Sequence, residues 1–466
     1  MLALTSTLSI QAAATVAMSA ASVLAPLAGP ALGVPASQVG WFVGLAYGAA
    51  MSFGLAAGAL TARHGPIRVS QLALAACMFG LLAAALTGLL VPHSSADTDG
   101  LAVWAWVGLP IAALAIGAGY GLPNPSASMI LAHHAPPHRR GLFFSIKQTG
   151  VPIGVGIAGI SIPALLLGLE WPWVLVVLAA VCLALTLGLQ GTLALNTLST
   201  SGASPNPSIQ PAQPAPVDST RSPAPARSHA QSATSRSSHR AGRGMTAVLE
   251  PLARIWQLPA VRRLALASLA YSMTQLCFVT FLVSYLKLEH SMSLAAAAGV
   301  LSSAQILSVI SRVGWGQVAD AWMAPLRLLG LLGVAMGGCA AALGLLPAGS
   351  PALLGLLAAL ACAATSMAWN GVYFAELAHR VPAHDLPRIT AGTQFLTFLG
   401  AMVGPMVFSA LVGPIGSHGH TYAVLAIVPA LIGVWLLVAA AREKSTLAPA
   451  TVTTAKQGSD RPPSKI

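Results

Sequence analysis

Few side chains in this chain can do chemistry, and nearly all of them sit inside long apolar sequence. The run Ser145-Ile-Lys147-Gln148-Thr149-Gly150-Val-Pro152-Ile-Gly154-Val-Gly156 places an ammonium six residues beyond Gly141, about 9 Å along a helix. An ammonium at that depth is costly unless it faces water, a counter-charge or a solute. No Asp or Glu occurs in the first six apolar stretches, so Lys147, with Gln148 beside it, is expected to attract an anionic group. Snorkelling to the nearer membrane face is the competing reading. In the second half, Arg312-Val-Gly314-Trp-Gly316-Gln-Val-Ala-Asp320 sets two charges eight residues apart, about 12 Å along one helix. Asp320 is therefore expected to pair with another helix's cation or dipole. Glu376 reads either as the carrier of a coupling proton or as the i,i+4 partner of Arg380.

A second group is polar but uncharged: Tyr120, Asn124, Tyr271, Gln275, Ser302, Ser303, Gln305, Trp369, Asn370, Tyr373, Thr393 and Gln394. Such residues suit a moderately polar pocket with an aromatic wall, or helix-to-helix hydrogen bonds of about 0.6 kcal/mol each. The solute-binding candidates are Lys147, Gln148, Tyr120, Asn124, Tyr271, Gln275, Asn370, Tyr373 and Gln394. Enzymes need a nucleophile with its base, or a metal cluster, and neither pattern occurs. The five cysteines (Cys77, Cys182, Cys277, Cys339, Cys362) lie in apolar stretches without C-x-x-C spacing and read as packed small hydrophobes. His133, His134, His418 and His420 fall in connections and read as solvated loop residues. No cofactor and no metal are expected.

The elements that must hold these groups are twelve apolar stretches in two sets of six: 4–27, 38–61, 68–91, 104–132, 141–168 and 172–194, then 262–286, 293–319, 326–346, 352–378, 388–413 and 420–441. A helix needs about 20 apolar residues to cross some 30 Å of hydrocarbon. With 56% hydrophobic and 7% charged residues in 466, the chain lacks the polar surface of a soluble protein of that length. The start of the chain reads as the first span, since a secretion signal would carry a basic n-region and a shorter apolar run. The expected organisation is a bundle over 1–194, a linker over 195–261, a second bundle over 262–441 and a tail over 442–466. The linker's Ser, Pro, Ala and Arg cannot bury enough surface to order it. Within it, 245–258 carries Val248, Leu249, Leu252, Ile255, Trp256 and Leu258 opposite Glu250 and Arg254, a pattern for an amphipathic surface helix or a structureless lead-in.

The net charge of +12 reads as an orientation signal rather than an affinity for nucleic acid. All lysines and arginines except Lys147, Arg312 and Lys287 fall in even-numbered connections or the tail, whereas Asp97, Asp99, Glu170 and Glu289 mark the opposite side. Both termini are therefore expected in the cytoplasm. Trp104, Trp106, Trp171 and Trp173 bracket helix ends on the acidic side and read as an interfacial belt. The halves also repeat their punctuation: Gly58 with Gly65 matches Gly316 with Asp320, and Gly150 with Gly154 matches Gly400 with Gly404. Parallel duplication of a helical unit is a transporter architecture.

The connection Gly58-Ala-Leu-Thr-Ala62-Arg63-His64-Gly65-Pro-Ile-Arg68 resembles the G-x-L-a-D-r-x-G-r-r signature of the major facilitator superfamily, with Ala62 where that signature has its acid. The resemblance implies an all-α membrane protein of twelve transmembrane helices in two pseudo-symmetric six-helix bundles that rock about a central site. It also implies a conformational switch built from Gly58, Arg63, Gly65, Arg68, Arg312, Gly316 and Asp320, in which Asp320 keeps a latch role that Ala62 has lost. Gly141, Gly150 and Gly154 resemble the superfamily's fifth-helix antiporter motif, but Val155 replaces its proline, so export is not inferred. Phe144 to Gly154 is similar to bacterial permeases of the cyanate and nitrate type.

The expected function is secondary active transport of a small organic or inorganic anion by alternating access across a bacterial inner membrane. The expected partners are the solute, a coupling proton and the lipid bilayer, with a monomer as the working unit. A drug or metabolite efflux antiporter is the alternative. A non-transporting membrane sensor is the second alternative, and it requires a folded module in the linker.

Overall fold

A computed structural model describes residues 2–90, 98–123, 126–127, 146–192, 253–347, 349–382 and 385–447. Asn124, His133, His134, Arg139, Arg140, Gly141, residues 193–252 of the linker and the tail after 447 lie outside the described residues. Every regular element described is helical. The elements are α1 (Leu2–Ala31), α2 (Val39–His64), α3 (Pro66–Leu90), α4 (Thr98–Gly121), α5 (Gly150–Leu165), α6 (Trp171–Gly188), α7 (Pro259–Leu288), α8 (Leu294–Ala321), α9 (Pro325–Gly344), α10 (Ala352–Ser366), α11 (Trp369–Arg380), α12 (Leu386–Ile415), α13 (His418–Leu425) and α14 (Ile427–Leu447). Among the described residues, eleven helical segments are long and apolar enough to cross a membrane, and Trp106–Gly121 in α4 is a shorter apolar helix. The tenth span is interrupted at Met367 and Ala368, the twelfth at Ala426.

Side chains such as Phe79, Leu86, Ile160, Ile306, Ile310 and Leu431 stand exposed on the outside of these helices. So much uncovered apolar surface is unfavourable in water and suits acyl chains. Between helices the contacts are made by small residues, because without a hydrophobic drive in lipid only close backbone approach supplies enough dispersion energy. The two glycine pairs matched in sequence do the same job in each half. A Cβ on Gly154 would strike the Ala12 carbonyl of α1, and one on Gly404 would strike the Met273 carbonyl of α7. The pairings repeat as well. α1 packs on α5, α2 on α4, α3 on α4 and α6; likewise α7 packs on α12, α8 on α10, α9 on α10 and α14. Across the two sets, α2 lies on α12, α5 on α8 and α1 on α7.

One end of the molecule is marked by Ser37 and Glu289, the other by Gly65, whose φ of 82° permits the tight reversal between α2 and α3. At the Ser37 end, the Glu289 carboxylate accepts from the Ser417 hydroxyl at 2.9 Å, the Gly419 N–H at 3.1 Å, the His418 N–H and the His418 ring Nδ1 at 2.9 Å. It thereby caps α13 from the end of α7. His418 is 7% exposed, which corrects the expectation of a solvated loop residue: its ring packs 6.2 Å from that of Phe281 and 6.3 Å from that of Phe408. His420 is exposed. Trp171 also departs from the belt expectation, packing into the space beside Gly88, while Trp106 and Trp173 remain exposed. Of the expected surface helix, residues 253–257 are helical; Ile255 is buried and Trp256 exposed.

Burial raises the pKa of Glu289, but the hydrogen bonds from His418, Gly419 and Ser417 outweigh it and pull the value from 4.5 down to about 2. A depressed carboxylate pKa gives stability that is present above the ordinary value and is lost as pH falls towards the folded one. The thermal midpoint of purified protein should therefore fall between pH 4.5 and 2, and Glu289→Gln should flatten that fall. An identical acid slope in the variant would count against this cap.

Candidate functional site

A small cavity of about 50 Å³ lies where the two sets of helices meet. α1 contributes Thr15, Ser19 and Ser22, spaced four and three residues apart and hence on one helix face. α2 and α4 contribute Tyr47 and Tyr120, packed edge to face at 5.8 Å. α5 contributes Val151, Pro152 and Val155, α7 contributes Gln275 and Thr280, and α8 contributes Gln305 and Arg312. Met367, at the break between α10 and α11, completes the wall.

That break positions the only cation on the described wall. Interrupting a helix leaves carbonyls without their intrahelical donors, and the Met367 carbonyl accepts from Arg312 Nε at 2.9 Å. The terminal guanidinium nitrogens make no hydrogen bond to a described residue, and Arg312 lines the cavity. Trp315 Nε1 donates to the Ala364 carbonyl at 2.9 Å and fixes α8 against α10 one turn further on. Gln275 Oε1 accepts from Trp369 Nε1 at 3.0 Å. Gln305 Nε2 faces the Met367 sulfur at 3.6 Å, while its Oε1 is buried without a partner.

Of the residues expected here, Tyr120 and Gln275 line the cavity. Tyr271 does not: its hydroxyl donates to the Leu329 carbonyl at 2.9 Å and its ring lies edge-on to Trp369 at 5.8 Å. Tyr373 is buried and packs edge-on against Trp369, with ring centroids 5.6 Å apart, outside the described lining residues. Asn370 and Gln394 are half-buried away from the wall and Gln148 is exposed. Lys147 is 3% exposed, so protein covers it, and it sits four residues before Val151 rather than on the wall. Arg312, expected in the switch, is the cation that reaches the cavity. Tyr47 and Gln305 complete the polar wall; only the spacing of Thr15, Ser19 and Ser22 offered a sequence signal for the α1 side.

The remaining switch residues lie at the Gly65 end. Arg63, Arg68 and Asp320 are exposed, and none forms an ion pair with a described residue. A Cβ on Gly58, Gly314 or Gly316 would meet nothing within 4 Å. The Ser37 end is the opposite. There a Cβ on Gly40 would strike the Pro405 carbonyl and Ser409, one on Gly44 would strike Met406, and the Phe281 and Phe408 rings stack at 4.0 Å. The Ser409 hydroxyl also donates to the Ser37 carbonyl. Towards Ser37 the helices of the two sets are therefore in close contact across the cavity's end. Glu376, 4% exposed, accepts from Arg380 Nε at 2.6 Å; Arg380 also reaches Glu443 at 2.6 Å, and Glu443 accepts from Arg263 at 2.8 Å. This network joins α7, α11 and α14.

Membrane-crossing helices packed around a cavity with polar lining are the architecture of a membrane transport protein. Residues 7–380 match the Major Facilitator Superfamily model, and the chain belongs to that superfamily. Its fold is similar to the crystal structures of a D-xylose-proton symporter (16% identity, TM-score 0.62, 93% of this chain and 95% of that one) and of a peptide transporter with sulfate (14%, 0.65, 94% and 94%). A bacterial homologue of the human lysosomal transporter Spinster, inward-facing and unoccupied, is similar as well (17%, 0.60, 94% and 95%). No curated protein matches the sequence.

Proposed function

We propose that the protein is a secondary active transporter that carries a small anion by alternating access, with Arg312 as the residue that holds the charge. The observation that carries this reading is the Arg312 guanidinium on the cavity wall, tied through Nε and open at its terminal nitrogens, with no Asp or Glu among the described lining residues. A cation kept in a low-dielectric cavity without a carboxylate is stabilised by an anion and repels a lipophilic cation. Lys147, on the Gly65 side of Val151, adds positive potential along the path from that end. Tyr120, Gln275 and Tyr47 supply neutral polar contacts, while Tyr271, Tyr373, Asn370 and Gln394 support the wall from behind.

In this reading the bundles 1–194 and 262–441 rock about the α2–α12 and α5–α8 contacts, with 195–261 as linker and 442–466 as tail. The Gly58–Arg68 connection and Gly316–Asp320 come together when the Gly65 end closes. That end faces the cytoplasm of a bacterial inner membrane, and the monomer is the working unit. Glu376 serves as an anchor for Arg380 in preference to a proton carrier, because the pair is already made.

Counterflow in proteoliposomes tests the reading. Vesicles preloaded with small carboxylates, nitrate or cyanate should accelerate entry of the same labelled anion over protein-free vesicles. Acceleration by lipophilic cations alone would establish efflux of such compounds instead.

A further inference from the structure

The polar groups beside Arg312 narrow the solute further, resting on the anion reading above. We propose that the cargo is a small hydroxy acid: one carboxylate held by the Arg312 fork and a neighbouring hydroxyl donating to Gln305 Oε1. Arg312 is fixed by its Nε bond to the Met367 carbonyl at 2.9 Å, so the plane of its guanidinium is set before a ligand arrives. A planar fork with both terminal nitrogens open matches a carboxylate through two parallel hydrogen bonds. One cation on the described wall balances one carboxylate, which disfavours dicarboxylates.

Gln305 supplies the second contact. It lines the same cavity, is 1% exposed, and its Oε1 has no donor while its Nε2 is turned to the Met367 sulfur at 3.6 Å. A buried acceptor left without a donor is unfavourable, and a cavity that carries one discriminates against solutes that cannot fill it. Both recognising residues sit against Met367, Arg312 Nε at its carbonyl and Gln305 Nε2 at its sulfur, and both line the same cavity. The donor must be neutral. An ammonium would lie beside Arg312 with no carboxylate on the described wall to balance it. Val43, Val151, Val155 and Leu276 complete the walls and suit a short apolar tail.

The test compares three probes of nearly equal size, 2-hydroxypropanoate, propanoate and 2-oxopropanoate, by concentration-dependent thermal stabilisation of the purified full-length protein. The hydroxy acid should bind about tenfold or more tightly than propanoate. In Gln305→Leu that ratio should fall to near one, while propanoate still stabilises the variant, which shows that it is folded. Gln305→Met, close to the original in shape, should behave as Gln305→Leu does. Equal binding of propanoate and the hydroxy acid by the wild type would overturn the hydroxyl contact and leave the anion reading standing. Preference for the 2-oxo acid would also overturn it, since the amide would then be presenting its N–H₂ to the cavity. Binding of none of the three, nor of nitrate, by a protein that counterflows lipophilic cations would remove the anion reading and this proposal together.

Discussion

Arg312→Ala should abolish solute uptake while leaving folded protein in the membrane. Truncating one partner of a desolvated, hydrogen-bonded charge pair costs about 2–5 kcal/mol, which corresponds to roughly thirtyfold to several-thousandfold weaker binding. The loss has two sources: the carboxylate loses its fork, and Met367 loses the donor that holds the break between α10 and α11. Arg312→Lys should recover only a small part, because an ammonium carries the charge without the planar fork or the Nε tie. Lys147→Ala provides the contrast. That side chain is buried outside the described lining residues, so its removal should weaken transport less than removal of Arg312. Counterflow with matched protein amounts measures both, and a full loss in Lys147→Ala with activity kept in Arg312→Ala would reverse the assignment of the charge-holding residue.

The second large effect should come from Arg380→Ala, acting on stability. Glu376 has 5% of its side chain exposed and relies on Arg380 at 2.6 Å, and Arg380 also joins Glu443 on α14 to α11. Without the guanidinium, two carboxylates remain near one another with Arg263 serving only Glu443. Removing one partner of a buried ion pair costs about 3–5 kcal/mol, since the other charge stays desolvated. For a bundle of this size the thermal midpoint should drop by roughly 6–20 °C. Replacing both residues, as Glu376→Leu with Arg380→Leu, should restore most of that loss because nothing charged is left unpaired. A double variant no more stable than Arg380→Ala would mean that the network acts through Arg380 and Glu443 alone.

How far the residues could be read before folding depended on whether their role was local. Gly65 was legible because its turn is made by the residues beside it, and the positive φ there is a local requirement. Gly154 and Gly404 were legible as equivalent positions since duplication copies spacing, and each meets a carbonyl of the helix it packs on. The pairing of Glu376 with Arg380 was legible from i,i+4 geometry, but its extension to Glu443 and Arg263 was not, because those partners lie on α14 and α7. Tyr271 and Tyr373 looked as suited to a cavity as Tyr120 did. Their helices turn them towards α9 and Trp369 instead, and no periodicity in a uniformly apolar segment marks which face is which.

The amino-acid order alone determined that the chain crosses a bilayer many times and which residues within its apolar segments carry charge, because hydrocarbon thickness and the desolvation of ions act on each segment separately. Tertiary structure decided which of those charges reaches the cavity. Lys147 and Arg312 are both deep cations by position, yet only the meeting of α8 with the interrupted tenth span brings the Arg312 guanidinium to the Met367 carbonyl and opens its fork to the space between the helices. The same holds for His418, which a loop position would leave in water and the Phe281, Phe408 and Glu289 contacts place under cover. Depth is a property of one helix, whereas facing a solute requires several helices to agree on where the space between them lies.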